Sequence, residues 1–172
     1  MTVLFSKKIC LIGDISVGKT SLVRRFIESR FDEHYLSTIG VTVSRKTLTM
    51  HLEKSTAETT LLIWDFAGGE QFDRVVRNYY QGASGAFFVC DVTRSTTIEA
   101  ISHYLQLFMN VNPGRPIVVL GNKIDLVADR AAYDQLVRSQ AEQIGAAWFT
   151  TSAKTGENVE TAFRMLAERT LT

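Results

Sequence analysis

Little in this chain points to chemistry by cysteine or histidine, or to life inside a membrane. Its 172 residues include two cysteines, three histidines and two prolines. Cys10 and Cys90 lie in the apolar runs KKICLIG and AFFVCDV and form no C-x-x-C pair. A zinc or redox centre therefore has no support, and both thiols read as small core residues. His34, His51 and His103 show no ligand spacing and read as surface or loop residues. No run of about 18 apolar residues exists, so no bilayer-spanning segment is expected. The opening MTVLFSKK is too short in its apolar part for a signal peptide. Thr2 stands where myristoylation needs glycine, and the ending AERTLT offers no cysteine for prenylation. As given, the chain is expected to carry no lipid anchor and to be cytoplasmic, meeting a membrane peripherally only if a missing tail or a partner supplies the attachment. The formal net charge of +1 gives no electrostatic reason for nucleic acid or a membrane surface as a main partner. No repeat, low-complexity tract or linker interrupts the chain, and its length fits one domain over 1–172.

What is present is an alternation. KICLIG, TTLLIWD, GAFFVCDV and PIVVLGN read as buried strands, VTVSRKTLTMHLE as a longer and partly exposed one, and AAWFTTS as a short last one. Between them, apolar residues recur at helical spacing: Leu22, Val23, Phe26 and Ile27; Ile98, Ile101, Leu105 and Phe108; Tyr133, Leu136, Val137 and Ile144; Val159, Ala162, Phe163 and Leu166. Asn158 is placed to cap the last helix. Strands alternating with helices predict an α/β fold with a mostly parallel sheet covered on both faces. Ligands in such sheets bind at the carboxyl ends of the strands, and most motifs of this chain fall just after a strand.

GDISVGKTS, residues 13–21, matches G-x-x-x-x-G-K-[ST] between a strand and a helix. Gly13 and Gly18 let the backbone turn back, and the N–H groups of Ile15, Ser16, Val17, Gly18, Lys19, Thr20 and Ser21 can then face an anion together with the helix N-terminus. Lys19 can reach the β- and γ-phosphates, and the Thr20 hydroxyl can bind Mg²⁺. GNKID supplies Asn122, Lys123 and Asp125 after another strand. Guanine presents two adjacent donors, N1–H and the N2 amino group, and the Asp125 carboxylate can accept both. Adenine lacks that pair and would leave a desolvated carboxylate unpaired. TSAKTG adds Ser152, Ala153 and Lys154, with a backbone N–H for the guanine O6 and packing against the base. LLIWDFAGGE ends a strand with Asp65, suited to hold Mg²⁺ through water, and Gly68, whose N–H can meet the γ-phosphate. Thr38 in YLSTIG reads either as a second Mg²⁺ ligand or as an ordinary loop threonine. Asp125 opposes an ATPase or kinase reading, as does the lack of any lid or acceptor site.

In these motifs the chain resembles the Ras superfamily of small GTPases and looks closest to the Rab branch. The likeness runs from KKICLIGDISVGKTSLVRRF through STIGV, LLIWDFAGGEQF, YYQGASG and GNKID to TSAKTGENV. It implies a Ras-like P-loop GTPase fold of six strands, one antiparallel, with five helices on both faces. It implies GTP or GDP with Mg²⁺ as ligands, and Phe31 packing edge-on against the guanine. Two mobile segments, 35–40 beginning at Tyr35 and 68–80, are implied to meet effectors, an exchange factor and a GTPase-activating protein. GTP orders both segments and hydrolysis releases them. The molecule is expected to be a monomer.

Four departures qualify the resemblance. The glutamine that orients the attacking water in the family is Gly69 here, and Gln71, two residues on, is a weak replacement. Ile15 replaces a small residue of the phosphate loop and is expected to crowd the water and any incoming arginine. Together these predict slow intrinsic hydrolysis by Lys19, Thr38 and Gly68; a nucleotide-bound scaffold that hardly cycles is the alternative. Val43 replaces the aromatic of a surface triad whose other members would be Trp64 and Tyr79, and Phe66 replaces a threonine for no reason visible in the sequence. The cysteine-bearing tail of Rab proteins is absent from the given chain.

Overall fold

The computed structural model of the protein describes residues 2–34, 36–52, 55–69 and 73–172. In chain order the elements are β1 (Thr2–Ile12), α1 (Lys19–Glu28), β2 (Val41–Leu52), β3 (Ser55–Phe66), α2 (Asp73–Tyr80), β4 (Gly85–Asp91), α3 (Ser95–Glu99), α4 (Ile101–Val111), β5 (Ile117–Asn122), α5 (Arg130–Gln143), β6 (Ala147–Thr151) and α6 (Val159–Arg169). Ala100 keeps right-handed helical geometry between α3 and α4 and is tied to Thr96 behind it and Tyr104 ahead. The two therefore form one bent helical body, and the described helices group into the five that the resemblance implies.

One six-stranded sheet has the order β2-β3-β1-β4-β5-β6. Only β2 and β3 pair antiparallel; the other neighbours are parallel. β4 and β5 are buried along their whole length, as expected for parallel strands with helices on both faces. Period-two alternation divides the core. Ile9, Leu11, Phe87 and Val89 face α1 and α6, where Leu22, Phe26, Phe163 and Leu166 meet them. Cys10, Ile12, Phe88 and Cys90 face the other layer, with Val76, Phe108 and Val137. Phe26 stacks on Phe163 at 4.0 Å between ring centroids, and Phe163 meets Phe87 at 4.7 Å. Emptying that position by Phe163→Ala is expected to cost about 3–5 kcal/mol. Burial pushes the Cys10 and Cys90 thiols up to about 12, so neither is a nucleophile near neutral pH.

Three local expectations are revised. β1 and β3 begin earlier than their apolar runs, because Thr2 to Leu11 pair in register with Thr56 to Asp65. Leu136 is exposed, and α5 buries only Val137 and Ala141 fully. Asn158 precedes α6 in left-handed geometry and makes no side-chain cap; its amide donates instead to the Thr150 carbonyl at 2.8 Å.

Phe66 gains a reason. It is buried beside Trp64 at 6.4 Å, Tyr79 at 6.2 Å and Tyr80 at 5.5 Å. Val43 lies across the ladder from Trp64 and is half exposed. Phe66 lies across the ladder from Val41 and adds a buried ring beneath the Trp64–Tyr79 pair.

Five strands finish at one edge of the sheet, closed by Ile12, Phe66, Asp91, Asn122 and Thr151, and β1 has neighbours on either side from opposite crossovers. That is the position where an open α/β sheet leaves a crevice.

Candidate functional site

Between β1 and α1 the chain makes a tight loop that only particular residues permit. A β-carbon on Gly13 would lie 2.2 Å from the Val89 carbonyl oxygen. Gly18 is left-handed at φ 100°, and a β-carbon there would lie 2.3 Å from Asn122 Nδ2. Both glycines are therefore required by close approach as well as by the turn. Ser16 adopts φ 60° without being glycine, a strained position that the motif alone did not reveal. Val17 is fully buried and anchors the loop from below.

Lys19 is 6% exposed and arches back to donate to the carbonyls of Gly13 (2.8 Å) and Asp14 (2.7 Å). Burial pulls its pKa down to about 8 against the attraction of Asp65 and Asp14, and the Arg94 charge adds to the fall. An ammonium held this way gains from a nearby anion. The first-turn N–H groups of α1 lack intrahelical acceptors and face the same hollow.

Beside Lys19, three oxygens converge. The Thr20 and Thr38 hydroxyls are 2.6 Å apart, and the Thr20 hydroxyl also donates to Asp65 Oδ2. Asp65 is 2% exposed, and its other oxygen, Oδ1, is buried with no hydrogen-bond partner among the described residues. Burial raises its pKa, opposed by the Thr20 bond and by Lys19. Two hydroxyls and an under-satisfied carboxylate make a hard-oxygen donor set that fits Mg²⁺. The Gly40 carbonyl accepts from the Ala67 N–H at 3.0 Å, holding the Thr38 and Asp65 segments together.

Gly68 presses on the phosphate loop, where a β-carbon would lie 2.4 Å from the Asp14 carbonyl carbon and 2.5 Å from the Ile15 nitrogen. Gly69 lies under Ile15, whose side chain is half exposed at the rim. Tyr35 and Gln71 lie outside the described residues.

A cavity of about 430 Å³ opens beside the loop. Ser16, Gly18, Ser21, Phe31, Asn122, Lys123, Asp125, Ala153 and Lys154 all line it, which brings together residues up to about 140 positions apart. Leu126, Asp32 and Glu33 complete the lining, and sequence reasoning missed them. Ser152 is buried behind it, donating to Asp125 Oδ1 at 2.6 Å and accepting from the Thr155 N–H at 3.0 Å. Asn122 acts as a clamp: Nδ2 donates to Val17 O at 3.0 Å, while Oδ1 accepts from Thr151 Oγ1 at 3.2 Å and Ala153 N at 3.3 Å. It joins the phosphate loop to the segment after β6. Lys123 reaches over the loop to Ser16 O and to Asp91 Oδ2, each at 2.7 Å. Arg25 donates to the carbonyls of Ala153 (2.8 Å) and Lys154 (2.5 Å) and fixes that segment from α1.

An anion cradle, an oxygen donor set and a mainly apolar cavity edged by Asn122, Lys123 and Asp125 thus share one strand edge. The sequence profile of the Ras family matches residues 8–172. The chain belongs to the Ras family. It is 39% identical to Ras-related protein Rab-32 of Homo sapiens over 170 residues, covering 95% of this chain and 74% of that one. It is 37% identical to Ras-related protein Rab-13 of Canis lupus familiaris over 161 residues, covering 93% and 77% respectively. The chain is accordingly a Ras-superfamily, GTP-binding switch GTPase close to Rab, of a kind that works with effectors, exchange factors and activating proteins and usually with Mg²⁺. Polar residues of the second layer, Asp91, Arg94 and Arg25, escaped sequence reasoning. The one signal available was a carboxylate closing the otherwise apolar strand GAFFVCD.

Proposed function

We propose that this GTPase is a monomeric, cytoplasmic switch of one domain, 1–172, whose unassisted GTP hydrolysis is slow. The phosphate loop from Gly13 to Ser21 and Lys19 hold the phosphates, the Ile15 N–H excepted because it donates to Asp14 Oδ1 at 2.7 Å. Thr20, Asp65 through water and, with GTP bound, Thr38 would hold Mg²⁺, which would supply positive charge against the phosphates. The Gly68 N–H meets the γ-phosphate. Asp125 accepts from guanine N1–H and N2, Phe31 packs on the base, and the segment Ser152, Ala153 and Lys154 closes over its O6 edge, with Asn122 and Lys123 holding the two loops in register. Effectors, an exchange factor and an activating protein engage 35–40 and 68–80.

The observation behind slow turnover is the meeting of Ile15 and Gly69. Gly69 offers no side chain to orient water, and Ile15 fills the space above it. A rate at or below about 10⁻⁴ s⁻¹, the scale of an unassisted Ras-type enzyme, is expected. Single-turnover hydrolysis of GTP by purified protein tests this, and completion within minutes rejects it. Mass spectrometry of the nucleotide released from the same preparation tests the ligand: guanine nucleotide supports the reading, and ATP or none removes it.

The same contact favours a second reading, a nucleotide-bound scaffold that hardly cycles. Crystals with GDP and with a non-hydrolysable GTP analogue separate the two. A change of shape in 35–40 and 68–80 supports the switch, and identical segments support the scaffold.

A further inference from the structure

Arg25, in the last turn of α1, makes no ion pair among the described residues and gives its donors to backbone carbonyls instead. Nε donates to Ala153 O at 2.8 Å, Nη2 to Lys154 O at 2.5 Å and Nη1 to Ser29 O at 3.1 Å. Ser29 ends α1 in left-handed geometry at φ 55°, two residues before Phe31. The guanidinium therefore joins the two segments that bring Phe31 and the pair Ala153 and Lys154 to the 430 Å³ cavity, while Arg25 itself stays outside its lining.

The peptide bonds are trans and planar, so a carbonyl and the N–H of the next residue point in opposite directions. Drawing the Ala153 carbonyl to Arg25 turns the Lys154 N–H the other way. The next peptide shows where that way leads. Its carbonyl, on Lys154, also goes to Arg25, and its N–H, on Thr155, donates to Ser152 Oγ, which donates to Asp125 Oδ1 at the cavity wall. The other N–H groups of this turn have acceptors: Ser152 in Glu157 O (3.2 Å), Ala153 in Asn122 Oδ1 (3.3 Å) and Gly156 in Ser152 O (2.8 Å). The Lys154 N–H has none among the described residues. A backbone donor left over at the wall of a pocket is suited to a carbonyl of the ligand.

We propose that Arg25 is a positioning residue for guanine: by holding the Ala153 and Lys154 carbonyls, it aims the Lys154 N–H at the purine O6. This rests on the reading of Asp125 as the guanine-binding carboxylate. Asp125 meets the two donors of the base, N1–H and N2, and the Lys154 N–H meets the acceptor next to them. Arg25 touches neither base nor phosphate, and no covalent step involves it. Its loss frees the 153–154 peptides to turn. Asp125 keeps its bond from Ser152, whose own backbone is tied to Glu157 and Gly156 without Arg25.

The test is competition against fluorescent GDP by GDP, by 6-thio-GDP, in which a weakly accepting sulfur replaces O6, and by inosine diphosphate, which lacks the N2 amino group. Wild type is compared with Arg25→Ala and Arg25→Lys, with thermal unfolding as a check on folding. Wild type should bind GDP about tenfold more tightly than 6-thio-GDP. In Arg25→Ala, GDP should weaken about tenfold and 6-thio-GDP by no more than about twofold, so that the preference for oxygen disappears. The preference for GDP over inosine diphosphate, which reports Asp125, should stay within about twofold of wild type. Arg25→Lys, with an ammonium in place of the fork, should fall between. Should Arg25→Ala fail to fold, a reduced oxygen preference in Arg25→Lys carries the proposal. Equal losses for GDP and 6-thio-GDP would make Arg25 a general support of the fold and overturn the proposal, as would unchanged affinities. Wild type that prefers GDP to inosine diphosphate but binds 6-thio-GDP equally well overturns it too, and leaves Asp125 as the guanine reader. Wild type with no preference for guanine removes that reading, and this proposal with it.

Discussion

The Ile15 side chain lies over the Gly69 backbone, so that a β-carbon added at Gly69 would sit 3.0 Å from Ile15 Cδ1 and 3.4 Å from Cγ1. Gly69 is also left-handed, with φ 108°. The two departures from the family pattern are therefore one packing arrangement. Restoring glutamine at 69 alone meets both the Ile15 side chain and a backbone conformation that costs a side chain about 1–3 kcal/mol. Gly69→Gln is expected to change single-turnover hydrolysis by less than about threefold, since a misplaced group cannot orient water. Ile15→Ser with Gly69→Gln should raise it about tenfold or more. Full recovery in the single variant would show that Ile15 offers no obstruction.

Mg²⁺ dependence should reside in Asp65. Its buried Oδ1, without a hydrogen-bond partner among the described residues, and its bond to Thr20 suit a carboxylate that helps to hold a cation. Chelation by EDTA should speed GDP release from wild type by about 10²-fold, and Asp65→Ala should release at the fast rate with or without Mg²⁺. Stopped-flow release of a fluorescent GDP measures both. If Asp65→Ala still responds fully to EDTA, the ion is held without Asp65 and the carboxylate has no part in it.

Much of this site was legible because its parts are short, contiguous motifs whose chemistry depends on backbone placement. Gly13, Gly18, Lys19 and Thr20 could be assigned from spacing, since a strand, a turn and a helix start leave few alternatives. Asp65, Asn122 and Ser152 could be placed at strand ends because buried apolar runs mark where strands finish. Arg94, Arg25 and Asp91 could not. Arg94 and Arg25 are held by backbone carbonyls of distant segments, Ile15 for Arg94 and Ala153 for Arg25, and a carbonyl has no sequence signature. Asn158 shows the converse: a good capping residue was drawn away by the Thr150 carbonyl. Phe66 needed Tyr79 and Tyr80 on a separate helix before its burial made sense.

Base choice should turn on Asp125 with Ser152 in support. Ser152 donates to Asp125 Oδ1 and so leaves the carboxylate an acceptor toward the cavity. Asp125→Asn replaces one acceptor by a donor, which opposes the guanine N2 amino group and suits xanthine, where C2 bears a carbonyl. GDP affinity should fall about 10³-fold and xanthosine diphosphate should be preferred. Ser152→Ala should weaken GDP about tenfold without reversing the preference. Competition titrations with the two diphosphates decide it, and unchanged GDP binding by Asp125→Asn would assign base recognition to other residues.

Asp91 couples the phosphate loop to low pH. Burial pushes its carboxyl upward, but the bonds from Lys123 and Thr93 outweigh burial and hold its pKa below the ordinary value. A carboxyl depressed in the folded state adds stability that is complete above its unfolded pKa, about 3.9, and is lost as pH falls through the lower folded value. Asp91→Asn removes that contribution and leaves Lys123 and Arg94 without their shared anion. Both cations are partly exposed, so water recovers some of the loss, and about 2 kcal/mol at pH 7 is expected. Urea unfolding of wild type and variant, at matched nucleotide occupancy, should show that gap steady from about pH 7 to about pH 5 and closing below about pH 4. The other carboxylates titrate alike in both proteins, so the closing gap isolates Asp91. A gap that widened on acidification would mean that Asp91 is protonated more readily folded than unfolded, and that the ion pairs with Lys123 and Arg94 do not hold it charged.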